Sequence, residues 1–357
     1  MNKKMILSLA VGILLSGGAI YLSFLNVPIN EMVEYVTSIN YFWVIPAVIV
    51  VLVCLFLRAV RWQIILQPVC RISLIDAFHP LMIGFMVNGI LPGRVGEFVR
   101  PAILHQKNNI PYTAGLTTVA AERFLDLFAL ITLLALVFST LKIDSTLESS
   151  FEGYLLNRTT LISIFSGIIQ LGLLLLTGIV IVSWNRSKKI IIDMVNGLPG
   201  LFFFVGDTIK RKIQKKVSAP LELLINNIAS GFALVKHPPR IFITLVLSFL
   251  IWGLQAFSWY LVSCGCPGID LTFLQYTAVM VIVCFFIVLP SVPGYWGLWE
   301  AGGIFALSLF AVPPENAAGF ILINHAVQIF PAILIGALSV FFSGVNFRKM
   351  VKNIKRL

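Results

Sequence analysis

Arg94, Glu97 and Arg100 follow one another at a spacing of three in Leu91-Pro92-Gly93-Arg94-Val95-Gly96-Glu97-Phe98-Val99-Arg100. A helical continuation puts all three on one face. Two guanidinium forks there suit a phosphate, which they bind bidentately, and Glu97 can neutralise them when it is absent. Pro92 and Gly93 break the chain just before, and Gly96 tolerates backbone angles closed to other residues. A second group is Thr118, Glu122, Arg123 and Asp126. Thr118, Glu122 and Asp126 share a helix face at spacing four, and Arg123 reaches Asp126 at i+3. Arg58, Arg61 and Arg94 are the guanidinium groups that could pair with it, as a plain salt-bridge network or as part of a site.

The third group repeats the logic of the first. In Leu289-Pro290-Ser291-Val292-Pro293-Gly294-Tyr295-Trp296-Gly297-Leu298-Trp299-Glu300, an apolar run ends at Leu-Pro, a Pro-Gly break follows, and a Gly precedes a Glu. A carboxylate favours a helix N-terminus on its own account. The parallel between Pro92…Glu97 and Pro293…Glu300 nevertheless points to an internal repeat, the weak symmetry that transporter folds show around a central site. Asn324, His325 and Gln328 add polar groups to the last apolar run, where interhelical hydrogen bonding accounts for them more readily than ligand contact. The five cysteines make neither a zinc spacing nor a disulfide framework, so neither metal nor cofactor is expected.

These groups sit in a chain that is 59% hydrophobic and 11% charged over 357 residues, with a mean hydropathy of +0.96. Soluble domains carry roughly 25% charged residues, so the composition excludes them and indicates an all-α polytopic membrane protein. A crossing needs about 20 mostly apolar residues. Residues 5–25, 42–57, 128–141 with a lead-in from 115, 161–182, 241–262, 271–289, 298–312 and 317–342 are the eight candidates. The first reads as a span rather than a signal peptide, because its apolar run is long and no cleavage pattern closes it.

With a cytoplasmic N-terminus and alternating sides, only Lys142 and Arg158 of the 26 basic residues face outward, while Glu31, Glu34, Asp144, Glu148, Glu152, Asp270 and Glu315 do. That asymmetry predicts a cell-membrane protein with both termini cytoplasmic. It also explains the net charge of +11 without nucleic acid as a partner. The alternation requires residues 77–91, which hold His79, Pro80, Asn88 and Gly89 and have arginines on both sides, to dip in from the cytoplasmic face as a re-entrant helix. The chain divides into a first half, 1–182, a cytoplasmic linker, 183–240, a second half, 241–345, and a basic tail, 346–357, forming one membrane domain. Within the linker Phe202, Val205, Ile209, Ile213 and Val217 recur at helical spacing opposite Lys210, Arg211, Lys212, Lys215 and Lys216, the pattern of a basic helix on anionic lipid.

Arg58-x-x-Arg61-Trp62, Asn88-Gly89-Ile90-Leu91-Pro92-Gly93-Arg94-x-Gly96-Glu97-x-x-Arg100, Ala121-Glu122-Arg123-x-x-Asp126 and Leu289-Pro290-x-x-Pro293-Gly294-x-x-Gly297-x-x-Glu300 together resemble the membrane domain of the lysylphosphatidylglycerol synthetase superfamily. The resemblance runs nearly the whole length and implies eight spans with re-entrant or broken helices around a cavity where a lipid head group crosses. Members that make aminoacylated lipids carry a large soluble transferase domain, whereas this sequence stops at Leu357, so translocation rather than synthesis is the expectation. The reading is a flippase-type transporter of an anionic or phosphate-bearing lipid. Arg58, Arg61, Asn88, Arg94, Glu97, Arg100, Glu122, Arg123, Asp126 and Glu300 are its candidate binding residues, and Pro92, Gly93, Gly96, Pro290, Pro293, Gly294 and Gly297 its structural breaks. Its partners would be membrane lipids with anionic head groups. A separate lipid-modifying enzyme is a further candidate partner. The alternative is a membrane-embedded transferase or hydrolase of polyprenyl-phosphate lipids, for which the sequence offers no nucleotide-binding loop, metal-ligand set or activated nucleophile.

Overall fold

The computed structural model describes residues 3–25, 27–140, 149–151, 154–156, 185–201, 217–218, 221–222, 237–289 and 291–344, with scattered positions between 163 and 181. The basic helix expected over residues 202–216, the tail, most of the 161–182 run and Pro290 lie outside the described residues.

Helices dominate because apolar runs in a bilayer must satisfy every backbone group internally. They are α1 (Lys3–Phe24), α2 (Ile29–Ser38), α3 (Val44–Leu66), α4 (Leu74–Ile90), α5 (Gly96–Asn108), α6 (Tyr112–Thr140), α7 (Asn185–Leu201), α8 (Pro238–Ser263), α9 (Phe273–Phe286), α10 (Leu298–Ser308) and α11 (Pro314–Ser343). A two-stranded antiparallel hairpin, Ser149–Phe151 with Tyr154–Leu156, is the β-structure among the described residues. Local signals set several ends. Ser73 accepts from the Asp76 amide to open α4, Thr272 and Gln275 form a capping box on α9, and left-handed Gly344 ends α11.

Among the described residues three helices are long and apolar enough to cross a membrane: Tyr41–Leu66, which joins a 3-10 turn to α3, Pro238–Ser263 and Pro314–Ser343. The distribution of side chains is the reverse of a soluble protein's. Phe341, Phe342, Leu14 and Phe42 stand exposed, while Arg58, Arg61, Arg100, Glu122 and Asp126 are buried. Apolar side chains toward lipid and charge toward the interior is the arrangement a hydrocarbon solvent favours.

The helix bounds differ from the expected spans in instructive ways. The 42–57 run continues without a break to Leu66, so Arg58, Arg61 and Trp62 lie on the same helix as the apolar span. The helix of 298–312 stops at Ser308. Arg94 does not join Glu97 and Arg100 on a helix. Gly93 and Arg94 both have positive φ, 79° and 53°, and the helix starts only at Gly96.

Two helical hairpins result. The first is α4 with α5, which approach so closely that a Cβ on Gly96 would lie 1.9 Å from the Gly84 carbonyl oxygen. The second is α9 with α10, where a Cβ on Gly302 would lie 2.9 Å from Phe286. At about 1.5 Å per residue none of these four helices reaches the ~30 Å of a hydrocarbon core. Their turns share a backbone signature: Gly93 and Arg94 in the first and Gly294 and Tyr295 in the second all have positive φ. Long α11 packs along α4, α3, α10 and α2, and α8 runs beside α3, so the hairpins are enclosed by the long helices.

Candidate functional site

Glu122 and Asp126 stand one turn apart on α6, and the buried charges assemble on them. Arg61 of α3 donates from Nη1 to Asp126 Oδ1 at 2.7 Å and places Nη2 3.4 Å from Glu122 Oε1. Arg100 of α5 donates to Glu122 Oε2 at 2.9 Å, and Arg123 to Glu122 Oε1 at 2.8 Å. From α8, Ser248 Oγ accepts from Arg61 at 2.7 Å and the Trp252 indole N–H donates to Asp126 at 3.1 Å. The Arg100 guanidinium lies 5.0 Å from the Trp62 ring, whose indole N–H donates to Thr118. Gly84 leaves room for the Arg100 chain, since a Cβ there would lie 2.5 Å from Arg100 Cγ. Arg61 and Glu122 are both 0% exposed. Each ion has therefore lost water and holds its charge through its ion pairs, with the Ser248 hydroxyl as a further acceptor for Arg61.

Toward the hairpin tips the pairing loosens. Glu97 Oε1 is 3.9 Å from Arg94 and 3.8 Å from Arg123, and all three side chains are partly exposed. Arg94 crosses to the other hairpin, donating to the Ile287 carbonyl at 2.6 Å and standing 5.7 Å from the Tyr295 ring centre. The turns of the two halves therefore touch through their corresponding positions. Asn88 Oδ1 accepts from the Gly96 amide at 2.7 Å and ties the first turn to α4.

A cavity of about 200 Å³ opens beside these tips. Arg58, Arg123, Asn88, Gln255, Gln328 and Tyr295 give it polar groups, and Trp252, Trp259, Trp299 and Phe85 wall it. Arg58 is 9% exposed and lies 5.0 Å from the Trp252 ring centre. Among the described residues no carboxylate comes within ion-pair distance of it. A second space, about 380 Å³, lies on the other side of Arg123 and is lined by Glu97, Phe98, Leu116, Val119, Ala120, Arg123, Phe124 and Leu127.

Of the candidates from sequence, Arg58, Asn88 and Arg123 line the first space and Glu97 and Arg123 the second. Arg61, Arg100, Glu122 and Asp126 form the ion-pair wall behind them, and Arg94 joins the tips. Glu300 stands apart in the second half. Its Oε2 accepts from the Gly297 amide at 2.6 Å, which is the helix-start role, and its Oε1 lies 2.5 Å from His325 Nδ1. Pro92, Gly93, Pro293, Gly294 and Gly297 occupy the turns, the last two at φ 69° and 89°. Sequence reasoning passed over Ser248 and Trp252, because neither a lone serine nor a tryptophan in an apolar run carries a spacing signal.

The model of the lysylphosphatidylglycerol synthase TM region matches residues 6–336. The chain belongs to this family. Within it, the chain is 21% identical to a UPF0104 membrane protein of Pyrococcus horikoshii, over 84% of this chain and 86% of the relative. It is 22% identical to a UPF0104 membrane protein of Methanothermobacter thermautotrophicus, over 87% and 88%. It is 23% identical to the glycosyltransferase AglD of Haloferax volcanii, over 90% of this chain but 52% of that protein. No solved structure gives a significant match. Family and apolar helices together make this an all-α membrane protein with a lipid-related setting.

Proposed function

We propose that the chain is a flippase-type transporter that moves an anionic or phosphate-bearing lipid between leaflets. The observation that carries the reading is Arg58, a buried guanidinium facing the cavity whose nearest carboxylate influence, from Asp126, acts from beyond ion-pair distance. A cation compensated only at that distance in a low-dielectric site is costly, and a phosphate in direct contact lowers that cost. Arg123 lines the same cavity and supplies a second fork. Five guanidinium groups around the tips face three carboxylates, so the site carries room for a dianionic head group. Asn88, Gln255 and Gln328 offer hydrogen bonds to its remaining polar atoms.

The distances rank the partners. Glu122 holds Arg123 at 2.8 Å, while Glu97 stands 3.8 Å from it. Glu97 is thus the exchangeable carboxylate, displaced when phosphate arrives and returning when it leaves. The apolar space beyond Arg123 suits an acyl or prenyl chain trailing from the head group. In this reading the two hairpins are re-entrant, their short helices dipping to membrane depth and meeting at the cavity, and the basic asymmetry sets both termini in the cytoplasm.

Reconstituted vesicles carrying a head-group phosphate lipid with a reporter on one acyl chain test the reading. Leaflet exchange is expected to speed up with the protein and to slow at least tenfold in Arg58→Gln. Equal rates with and without protein, across a panel of phosphate lipids, would overturn it, and a change in lipid mass would point to the transferase or hydrolase instead.

A further inference from the structure

The Glu300–His325 contact is not used by the phosphate site, and its chemistry is specific. His325 is 0% and Glu300 1% exposed. His325 Nε2 is 2.8 Å from the Gly294 carbonyl oxygen, which can only accept, so Nε2 bears hydrogen. Nδ1 then faces Glu300 Oε1 at 2.5 Å. Two lone pairs do not approach so closely. A proton lies between them, held as imidazolium against carboxylate or as neutral imidazole against carboxylic acid. Either way the pair is neutral with one proton bound, and carries a buried negative charge without it.

From this geometry we infer that Glu300 and His325 form a proton-binding site whose occupancy sets the position of the second hairpin turn and hence the wall of the cavity. The coupling follows from what else the two side chains hold. Glu300 fixes the Gly297 amide and His325 fixes the Gly294 carbonyl, so both ends of the turn hang on the pair. Trp299 lies parallel to the imidazole at 4.6 Å and Trp296 lies at 4.4 Å, and Trp299 is itself a wall of the cavity. Loss of the proton to water leaves one imidazole hydrogen for two acceptors, the Glu300 carboxylate on Nδ1 and the Gly294 carbonyl on Nε2, so one of the two contacts has to open. Either opening loosens the turn, whose Gly294 sits against the Gly89 carbonyl of the first hairpin.

Among the described residues no neighbouring group replaces the proton. Among the described residues each partner's ion pair is with the other alone. Tyr35 on α2 lies against Gly319, nearly two turns away on α11, and Tyr276 on α9 packs on Phe320. Tyr295 of the turn is covered by Arg94, and Arg58 of α3, Arg123 of α6 and Cys284 of α9 face the cavity rather than the pair. Around the turn α1 brings Ser16 to Gly297 and α4 brings Gly89 to Gly294. The proton site stands on its own geometry, and only its link to transport rests on reading the cavity as a head-group site.

Glu300→Gln is the variant that separates these. Its amide can accept from Gly297 and donate to Nδ1, which keeps the contact closed with no shared proton to release. In nanodiscs, the tryptophan fluorescence of wild type is expected to show a reversible one-proton transition with pH, because Trp296 and Trp299 flank the imidazole, and Glu300→Gln is expected to lose it. Histidine labelled with nitrogen-15 in the wild-type protein gives a second measurement, with one of the four imidazoles showing a strongly hydrogen-bonded Nδ1 proton that disappears in the same transition. Fluorescence that titrates identically in both proteins, or an imidazole that never gains or loses this proton, would overturn the proton site. Leaflet exchange in the same preparations is expected to vary with pH in wild type and to be flat in Glu300→Gln. A transition accompanied by pH-independent exchange overturns the coupling, and absence of exchange at every pH overturns the transport reading while leaving the proton site standing.

Discussion

Glu122 receives guanidinium groups from three helices, at 3.4 Å from Arg61, 2.9 Å from Arg100 and 2.8 Å from Arg123, while Glu97 meets Arg94 and Arg123 only at 3.8–3.9 Å and in part exposure. Two glutamates in one charge network therefore have different uses. Removing one partner of a buried pair strands the others and costs about 3–5 kcal/mol, whereas an exposed pair contributes about 1 kcal/mol or less. Glu122→Gln is expected to lower the thermal unfolding midpoint in detergent strongly. Glu97→Gln should leave it nearly unchanged and slow leaflet exchange. Equal destabilisation by the two would contradict the division of roles. The spacing of Glu122 and Asp126 was legible from sequence because one helix determines it. Their partners were legible only as a choice among Arg58, Arg61 and Arg94, of which Arg61 makes the ion pairs, while Arg100 and Ser248 come from elements whose packing no local pattern encodes.

The hairpin is the unit that brings distant charges to one depth, and its two glycines act differently. Gly96 is small because α4 runs against it, and Gly93 because the turn needs positive φ with open space around it. Gly96→Ala forces α4 and α5 apart, an overpacking cost of about 3 kcal/mol or more. Gly93→Ala strains one residue for about 1–2 kcal/mol. Unfolding midpoints are expected to fall further for Gly96→Ala, and leaflet exchange to be lost with it, because Asn88 and the Gly96 amide would no longer meet. A larger loss from Gly93→Ala would show that the turn, and not the close helix contact, holds the hairpin. The Pro-Gly breaks marked both turns in the sequence. The late helix start at Gly96, which excludes Arg94, depended on two consecutive positive φ angles that residue types alone did not reveal.

At the scale of the molecule the two halves meet where their turns correspond, Arg94 of one over Tyr295 of the other. A partly desolvated cation–π contact is worth about 1–2 kcal/mol. Arg94→Ala and Tyr295→Ala are therefore expected to be non-additive by about 1 kcal/mol in a double-mutant cycle on stability. Additive effects would mean that Arg94 acts through the Ile287 carbonyl and not through the Tyr295 ring. The same meeting places the Glu300–His325 contact next to the cavity that both halves line, and the proposed coupling between them runs through these turns.

Composition, the apolar runs and the Pro-Gly breaks by themselves determined that this is a helical membrane protein with interrupted helices and charge inside it, because a hydrocarbon solvent restricts what such runs can do. Family membership was legible for the same reason, in the order of motifs along the chain. Only the tertiary structure decided which charges, among the described residues, pair closely and which face a cavity. Arg61 and Arg100 are equivalent to Arg58 as residue types, yet they face carboxylates and Arg58 faces the cavity. His325 and Glu300 are 25 residues apart on two helices, and their shared proton exists only because those helices pack side by side.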